Sequence, residues 1–467
     1  MRKPKKNFPL HGLEVSDISS EGKAVARHEG LVVFIEGAVP GDVADVNVYR
    51  KKSSFAEARL EKLISPSEHR VEPVCNHFGT CGGCKWQHLN YNKQLEFKQK
   101  YVYDAFTRIG KLEFPELLPI IGNNLLYEYR NKLEFTFSNK RWLRKEEMDD
   151  ETLNKNGCGF HIPGMFDKVL DIEHCHLQPE PSNAIRNAIK AYAHEHKLSF
   201  FDIRSQTGFL RTLMLRNSSQ GEWMLILTVF EWLEKELFDL LEFIKLKFPQ
   251  ITSLQYAHNP KGNDTLADLN IKVYHGKDHI VEDMEGLKFK ISPRSFYQTN
   301  SAQAYELYKI TRHLANIQAH EVVYDLYTGT GTIANFVASQ AKKVVGIEYV
   351  EDAVADARVN AAINGITNTS FFSGDMKEVL NEDFIRTQGS PDVVICDPPR
   401  AGMETDVVNA LLLAHPERIV YVSCNPATQA RDLALLKEHY SISKTQPVDM
   451  FPQTAHVENV CLLLRNK

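Results

Sequence analysis

Cysteine side chains offer the most varied chemistry in this sequence of 467 residues. The eight of them stand at Cys75, Cys81, Cys84, Cys158, Cys175, Cys396, Cys424 and Cys461. Disulfides are a poor explanation for cysteines in a long cytosolic chain. Metal ligation or nucleophilic catalysis explains them better, and their spacing indicates which of them serve each purpose.

Three of these cysteines form a short motif, Cys75-x5-Cys81-x2-Cys84, with glycines between them. The motif brings three thiolates together, and a fourth would complete a site for either zinc or an iron–sulfur cluster. Spacing alone does not choose between the two. The fourth ligand must come from elsewhere in the chain, with Cys158 and Cys175 as candidates. The Cys-x3-Cys-x2-Cys spacing usual for radical chemistry is missing, so we expect a structural role or a support for substrate binding.

Cys424 follows the apolar stretch Ile419–Val422 and precedes an Asn-Pro turn. A cysteine at a strand end is more often a packed thiol. At a ligand crevice, however, its thiolate could add to carbon 6 of a pyrimidine and so make carbon 5 nucleophilic enough to take a methyl group. That reaction needs a base to remove the carbon 5 proton before the thiolate leaves. Glu458, which opens the last predicted strand, is the candidate base, and His456 is its rival.

A loop with two glycines, Tyr327–Thr332, directly follows the apolar stretch Val322–Leu326. Glu348 ends the next predicted strand, where an acid can accept both hydrogens of a ribose diol. Asp375 ends the third strand and could meet an adenine amino group. A nicotinamide cofactor is the competing interpretation, but it expects a third glycine near the place of Ala334.

Asp397 opens the sequence Asp-Pro-Pro-Arg after the apolar stretch Val393–Cys396. Because prolines cannot continue a central strand, they predict a rigid loop just beyond its carboxyl end, with Asp397 at the ligand crevice. Amino-methyltransferases use a similar loop, but an aromatic residue that stacks on the base follows their prolines. Arg400 stands at that place here, which disfavours amino methylation.

Strands must alternate with helices to position these residues, and from residue 291 onward the pattern does so. It predicts an α/β domain with a doubly wound, mainly parallel sheet, in which ligands bind beyond the carboxyl ends of the strands. The predicted strands are Val322–Leu326, Val344–Glu348, Ser370–Phe372, Val393–Cys396, Ile419–Val422 and Val460–Leu464.

Two further domains are predicted before the doubly wound sheet. Short apolar runs separated by turn residues predict a five-stranded, OB-like β-barrel within residues 1–66, a common platform for single-stranded RNA. Residues 67–290 mix strand-like and helical stretches and predict a mixed α/β central domain that contains the cysteine motif. Residues 291–467 form the predicted catalytic domain.

The composition is that of a soluble globular protein, with 43% hydrophobic and 25% charged residues. No apolar run approaches the roughly 18 residues of a membrane helix, and no signal peptide is apparent, so we expect a cytoplasmic protein. The net charge of −5 does not by itself indicate a nucleic-acid-binding protein. Such binding depends on local basic surface, however, and short basic clusters stand at Arg2–Lys6 and Arg50–Lys52.

Together these residues resemble the RNA uracil-C5 methyltransferase family, and the resemblance covers essentially the whole chain. The glycine loop with Asp325 resembles the first motif of class I S-adenosylmethionine methyltransferases. The segments that resemble family motifs are Tyr129–Lys132 in the central domain, Ser292–Asn300 at the entry to the cofactor domain, Ser423–Thr428 around the nucleophile, and Met450–Glu458 at the end.

The resemblance implies methylation of uridine carbon 5 in RNA, with S-adenosylmethionine as cofactor, Cys424 as nucleophile and Glu458 as proton acceptor. The implied cofactor contacts are Gln298, Tyr327, Glu348, Asp397, Thr332 and Asp375. It also implies a [4Fe-4S] cluster held by Cys75, Cys81, Cys84 and Cys175.

The first 66 residues resemble the TRAM domain, which the ribosomal-RNA branch of the family carries and the bacterial transfer-RNA enzyme lacks. This favours 23S ribosomal RNA as substrate. We expect a monomer with no membrane contact and no obligate protein partner. The alternatives are a transfer-RNA uridine C5 methyltransferase, an amino-methyltransferase and a non-catalytic RNA-binding protein, and an intact Cys424 and Glu458 pair disfavours the last.

Overall fold

The structure, a computed structural model, describes residues 7–150 and 152–467. The basic cluster Arg2–Lys6 lies outside the described residues. Within the part of the chain that is described, no helix combines the length and the apolar character needed to cross a membrane.

The first domain is a closed barrel of five strands in the order β1-β2-β3-β5-β4. Alternate residues of each strand point inward, and small or branched side chains such as Ala26, Val33 and Val46 fill the interior. The predicted OB-like barrel is therefore confirmed. Its strands are β1 (Phe8–Ile18), β2 (Ala24–His28), β3 (Leu31–Glu36), β4 (Val43–Lys51) and β5 (Phe55–Ser65).

One long helix, α1 (Tyr91–Asp104), follows the cysteine motif and continues as a π-helical turn over residues 105–110. Asn90 caps its first turn, because its side-chain oxygen accepts a hydrogen bond from the backbone N–H of Lys93 at 3.0 Å. Val102 and Phe106 are buried in the core of the catalytic domain. The helix therefore joins the cysteine motif to that domain.

The central domain is a seven-stranded sheet in the order β12-β11-β10-β9-β6-β7-β8, with two helices. The interior strand β10 is buried along its whole length, which explains why its sequence is apolar apart from Thr228. The strands are β6 (Lys132–Ser138), β7 (Gly157–Ile162), β8 (Met165–Asp171), β9 (Leu210–Asn217), β10 (Trp223–Val229), β11 (Ile251–His258) and β12 (Ile271–Gly276). The helices are α2 (Ser182–Glu195) and α3 (Glu234–Lys247).

A hairpin of β13 (Ile280–Met284) and β14 (Leu287–Ile291) leads into the last domain. Phe289 and Ile291 join the hydrophobic core that also contains Val344 of the catalytic sheet. The backbone N–H of Lys290 donates to the side-chain oxygen of Asn360 at 2.8 Å. The hairpin thus packs on the catalytic domain, next to the boundary predicted at residue 290.

The catalytic domain is a doubly wound sheet of seven strands in the order β17-β16-β15-β18-β19-β21-β20, as expected for the class I methyltransferase fold. The first five are parallel, whereas β21 is antiparallel to both neighbours. Its strands are β15 (Val322–Leu326), β16 (Lys343–Glu348), β17 (Thr369–Ser373), β18 (Val393–Cys396), β19 (Arg418–Ser423), β20 (Tyr440–Val448) and β21 (Glu458–Arg465).

The helices of this domain cover both faces of the sheet. They are α4 (Ser301–Ala315), α5 (Thr332–Val337), α6 (Glu351–Ile363), α7 (Met376–Val379), α8 (Glu382–Gln388), α9 (Thr405–Ala414) and α10 (Pro426–Leu436). All six strands predicted from the sequence are present. The seventh, β20, was not predicted, because its first residues alternate Tyr440 and Ile442 with Ser441 and Ser443, and the strand has no continuous apolar run.

Candidate active site

Loops at the carboxyl ends of the parallel strands surround one cavity of about 1480 Å³. Strands β16, β15, β18 and β19 are neighbours in the sheet and run in one direction, so the loops that follow them meet at one edge. The cavity brings together most of the residues singled out from the sequence, namely Gln298, Tyr327, Glu348, Asp397, Cys424 and Glu458.

The glycine loop after β15 adopts a backbone that favours glycine. Gly329 and Gly331 have φ values of 54° and 74°. A Cβ atom on Gly331 would lie 2.8 Å from the Cβ of Ala357, so a side chain there would clash. The N–H of Gly329 donates to Oε2 of Glu348 at 3.0 Å. This bond fixes the Glu348 carboxylate beside the loop, where it can meet a ribose.

Gln298 reaches the cavity from the segment between β14 and α4, and the central domain holds that segment. Asn131 donates its backbone N–H to the carbonyl of Thr299 at 2.7 Å and its side-chain N–H to the carbonyl of Gln298 at 2.9 Å. The buried Arg216 donates to the carbonyl of Ser295 at 2.9 Å. The central-domain motif therefore positions a predicted cofactor contact.

Two acids end the neighbouring strands β15 and β18 beneath the cavity. Asp325 accepts hydrogen bonds from the hydroxyl of Thr328 and from the backbone N–H of Ala334, which shapes the glycine loop. Burial raises the pKa of Asp325 to about 7, and burial also raises the pKa of Asp397 to about 7. A cation bound in the cavity would favour the ionised forms of both acids.

Cys424 and Glu458 face each other at the edge of the sheet. Strand β19 ends at Ser423, which pairs with Asn459 near the start of the antiparallel strand β21. The residue after Ser423 is Cys424, and the residue before Asn459 is Glu458. Both side chains line the cavity. The pairing thus places a thiol and a carboxyl group beside each other, as covalent chemistry at carbon 5 requires.

The electrostatics of this pair favour the protonated forms of both groups. Burial and the carboxyl groups of Glu458 and Asp397 raise the pKa of the Cys424 thiol to about 12. Burial and the charge of Asp397 raise the pKa of Glu458 to about 8. The guanidinium of Arg400 opposes both shifts.

Arg400 also joins the loops after β18 and β19. Its carbonyl accepts hydrogen bonds from the side chains of Asn425 at 3.0 Å and Thr428 at 3.2 Å. Its guanidinium lies 3.4 Å from Nε2 of His456. Partial burial and Arg400 lower the pKa of His456 to about 4, so its ring is neutral at pH 7. A neutral imidazole at the cavity wall can accept a proton, and His456 therefore stays a rival base.

Two predicted cofactor contacts do not line the cavity. Thr332 is buried in the first turn of α5, with its hydroxyl 3.3 Å from that of Thr330. Asp375 caps α7, where its carboxylate accepts the N–H of Lys377 and also lies 3.3 Å from the ammonium group of the same lysine. The roles of both residues, like those of the cavity-lining contacts, stay predictions.

The four cysteines named by the family resemblance share one wall of the same cavity; they are Cys75, Cys81, Cys84 and Cys175. Burial and the neighbouring thiols raise the pKa of Cys81 to about 11 and that of Cys84 to about 12. The other candidate ligand, Cys158, is fully buried in the core of the central sheet. Among the described residues, no three His, Cys, Asp or Glu side chains are gathered closely enough to hold one metal ion.

Three further residues line the cavity without having been given a role from the sequence. Phe296 is 67% exposed and stands two residues before Gln298. The guanidinium of Arg130 lies 5.9 Å from the ring centroid of Phe451. Aromatic and cationic side chains at a cavity wall suit a nucleobase. The sequence did contain a signal for these residues, because all three belong to motifs that resemble the family.

The doubly wound sheet, its glycine loop and the acid at the end of β16 define a class I S-adenosylmethionine-dependent methyltransferase. A family profile described as tRNA (Uracil-5-)-methyltransferase matches residues 270–466, and one described as TRAM domain matches residues 13–60. Two similar proteins, both described as uncharacterised RNA methyltransferases, come from Bacteroides thetaiotaomicron and Porphyromonas gingivalis. The first is 57% identical over 96% of this chain and 99% of its own length, and the second 54% identical over 97% and 100%.

A solved structure of similar architecture is Pyrococcus abyssi tRNA (uracil-54, C5)-methyltransferase in complex with S-adenosyl-L-homocysteine. It has a TM-score of 0.76 and 29% identity, and the match covers 97% of this chain and 100% of that one. The chain belongs to the RNA uracil-5-methyltransferase family. The expected methyltransferase fold, TRAM domain, S-adenosylmethionine and RNA methyltransferase class are thereby confirmed.

The raised pKa of Glu458 predicts how stability varies with pH. Between pH 4.5, its ordinary pKa, and about 8, its pKa in the folded protein, the folded state binds more protons than the unfolded state. The contribution of this group to the free energy of unfolding therefore falls as pH rises through that window. Glu458→Gln removes the titration, so the ligand-free variant should gain stability relative to wild type from pH 5 to pH 8, by roughly a few degrees in melting temperature.

The measurement is thermal unfolding of both proteins at pH 5, 6.5 and 8. Glu438→Gln, which changes an exposed glutamate, is the matched control and should show no such trend. A melting-temperature difference between wild type and Glu458→Gln that is the same at all three pH values would contradict the prediction.

Proposed function

We propose that this protein methylates carbon 5 of a uridine in RNA, with Cys424 as the nucleophile and Glu458 as the base. The observation that carries the proposal is the placement of these two side chains side by side, in the cavity that Gln298, Glu348 and Asp397 also line. S-adenosylmethionine supplies the methyl group and the positive charge of its sulfonium.

The residues act in a fixed order in this proposal. Cys424, once deprotonated, adds to carbon 6 of the uridine and makes carbon 5 an enolate-like nucleophile that takes the methyl group. Glu458 then accepts the proton from carbon 5, and the bond between Cys424 and carbon 6 breaks. Arg400 lowers the pKa of both groups and so favours the ionised thiol and carboxylate that these steps need.

Substitutions of Cys424 and of Glu458 should block the reaction at different steps. Cys424→Ala should give neither a covalent RNA adduct nor methylated product, because the addition comes first. Glu458→Gln should still form the adduct and transfer the methyl group, and then stall. Since general bases contribute about 10²–10⁴-fold, turnover should fall by that order while adduct formation falls much less. Denaturing electrophoresis of RNA labelled through the methyl group measures both.

His456→Ala is the control that separates the two candidate bases. If it traps the methylated adduct while Glu458→Gln turns over normally, the base is His456. RNA that contains 5-fluorouridine should trap wild-type protein, because fluorine cannot be removed as a proton. Absence of any adduct with either RNA would contradict the covalent mechanism.

We propose 23S ribosomal RNA as the substrate, with transfer RNA as the alternative. The N-terminal TRAM barrel supports the first, because the resemblance associates it with the ribosomal-RNA branch. At the turn after β4 it also presents two exposed lysines beside aromatic rings: Lys51 lies 5.6 Å from the centroid of Phe8, and Lys52 lies 5.1 Å from that of Phe55. The alternative is supported by the Pyrococcus abyssi structure, whose own substrate is uracil 54 of tRNA.

A deletion strain should therefore lose 5-methyluridine from 23S ribosomal RNA and keep it in transfer RNA. Mass spectrometry of nucleosides from the two separated RNA classes measures this. Complementation with wild type should restore the nucleoside, and complementation with Cys424→Ala should not. Loss from transfer RNA alone would select the alternative substrate.

We also propose that Cys75, Cys81, Cys84 and Cys175 hold a [4Fe-4S] cluster. Four thiolates can bind such a cluster, and the four cysteines line one wall of the cavity. Such a cluster would tie the cysteine motif to the central domain, since Cys175 belongs to the segment before α2.

Protein purified without oxygen should then be brown and contain iron. Cys175→Ser should bleach it, because the cluster loses one of four ligands, whereas Cys158→Ser should keep the colour. Absorption spectra and metal analysis of the three proteins test this. Stoichiometric zinc without iron would contradict the cluster.

A further inference from the structure

The loop between β20 and β21, residues 449–457, forms part of the cavity wall and leads directly to Glu458. Phe451, Thr454 and His456 of this loop line the cavity. Gln453 has a φ of 67°, an uncommon conformation for a residue with a side chain. A loop in such a conformation needs outside contacts to hold it.

Gln94 on α1 supplies two of these contacts by a reciprocal pair of hydrogen bonds. Its side-chain N–H donates to Oε1 of Gln453 at 2.9 Å, and its side-chain oxygen accepts the backbone N–H of Gln453 at 2.9 Å. The same side-chain NH₂ group also donates to the carbonyls of Trp86 and Leu89. Gln94 is 1% exposed, so water does not replace these bonds.

One turn further along α1, Lys98 holds the beginning of the loop. Its ammonium group donates to Oδ1 of Asp449 at 2.5 Å and to the carbonyl of Phe451 at 3.0 Å. Both side chains of this ion pair are fully buried. The hydroxyl of Tyr91, also on α1, donates to Oδ2 of Asp449 at 2.7 Å.

The cysteine motif reaches the same loop. The backbone N–H groups of Lys85 and Trp86, which directly follow Cys84, both donate to the carbonyl of Gln453, at 2.8 Å and 3.1 Å. Within the loop, the hydroxyl of Thr454 donates to the carbonyl of Phe451 at 2.8 Å and accepts the N–H of His456 at 3.3 Å. A continuous set of hydrogen bonds therefore runs from α1 to the cavity wall.

We propose that Gln94 and Lys98 are positioning residues, which hold the loop 449–457 as the wall of the cavity beside Cys424 and Glu458. Neither residue lines the cavity, so they act through Gln453, Asp449 and Phe451 and not on the substrate. The role of the wall rests on the proposed function of Cys424 and Glu458. Loosening α1 from the loop would shift Phe451 and His456 and leave the target base poorly held against the thiol.

The test compares two buried glutamines. Gln94→Leu keeps the size of the side chain and removes its bonds to the loop. Gln178→Leu is the matched control: Gln178 is also 1% exposed, but it bonds to Leu215 and Asn217 in the central domain. Displacements of about 1 Å can cost on the order of 10²-fold in rate. Gln94→Leu should therefore lower kcat and the rate of adduct formation on 5-fluorouridine RNA by at least about tenfold.

The affinities separate a positioning role from a general loss of structure. For Gln94→Leu, KM for RNA and Kd for S-adenosylmethionine should change by less than about twofold, because neither ligand contacts Gln94. Hydrogen exchange of the peptide that contains residues 449–457 should be faster in this variant and unchanged in Gln178→Leu. Equal loss of rate in both variants, or no loss in Gln94→Leu, overturns the inference.

Tyr91→Phe decides between the outcomes if either leucine variant fails to fold, since it removes only a hydroxyl, which donates to Asp449 and accepts the backbone N–H of Asn123. It should lower kcat in the same direction by a smaller factor, and an unchanged kcat overturns the inference. These experiments also distinguish a failure of the positioning role from a failure of the proposed function. Wild-type protein without an adduct contradicts the covalent mechanism, whereas normal adduct formation in all variants contradicts only the positioning role.

Discussion

An antiparallel strand in a parallel sheet begins at the edge where its parallel neighbour ends, and the active site depends on this constraint. Strand β21 enters the sheet between β19 and β20, so its first residue lies at the edge that collects the ligand-binding loops. A thiol at the end of β19 and a carboxyl group at the start of β21 are then neighbours, although 34 positions separate Cys424 from Glu458 in the chain. A wholly parallel sheet would put the beginning of that strand at the opposite edge.

Three acidic side chains are buried near the same edge, where water screens their charges poorly. Asp325, Asp397 and Glu458 all have raised pKa values because burial disfavours their charged forms. Arg400 is the cationic side chain that acts on both Glu458 and Cys424. A cavity with this balance attracts a positively charged ligand, and the ionisation of the Cys424 thiol then depends on what is bound. The reactivity of the thiol therefore depends on whether a ligand occupies the cavity.

The sequence patterns predicted the catalytic sheet well, because buried parallel strands are continuously apolar and several site residues lie at their carboxyl ends. Strand-end position, taken together with the glycine and proline loops beside it, indicated Glu348, Asp397 and Cys424, and the cavity contains all three. The central sheet was less predictable. Its strands β7 and β8 have mixed polar and apolar residues, and β9 has arginines that become buried through tertiary hydrogen bonds. Likewise, spacing could not choose between Cys158 and Cys175, because only the folded chain shows which one faces the other cysteines.

The hydrogen bonds and the ion pair between α1 and the loop 449–457 join residues that are synthesised at very different times. Lys98 precedes its partner Asp449 by 351 positions, which at about 5–20 residues per second is roughly 20–70 s of synthesis. During that interval the amphipathic helix α1 lacks its ionic partner. The buried lysine must therefore remain hydrated until Asp449 has been synthesised, and the cavity wall beside Glu458 cannot form before then. Competence to modify RNA is thus acquired only after the loop 449–457 has been synthesised, whatever order the earlier domains follow.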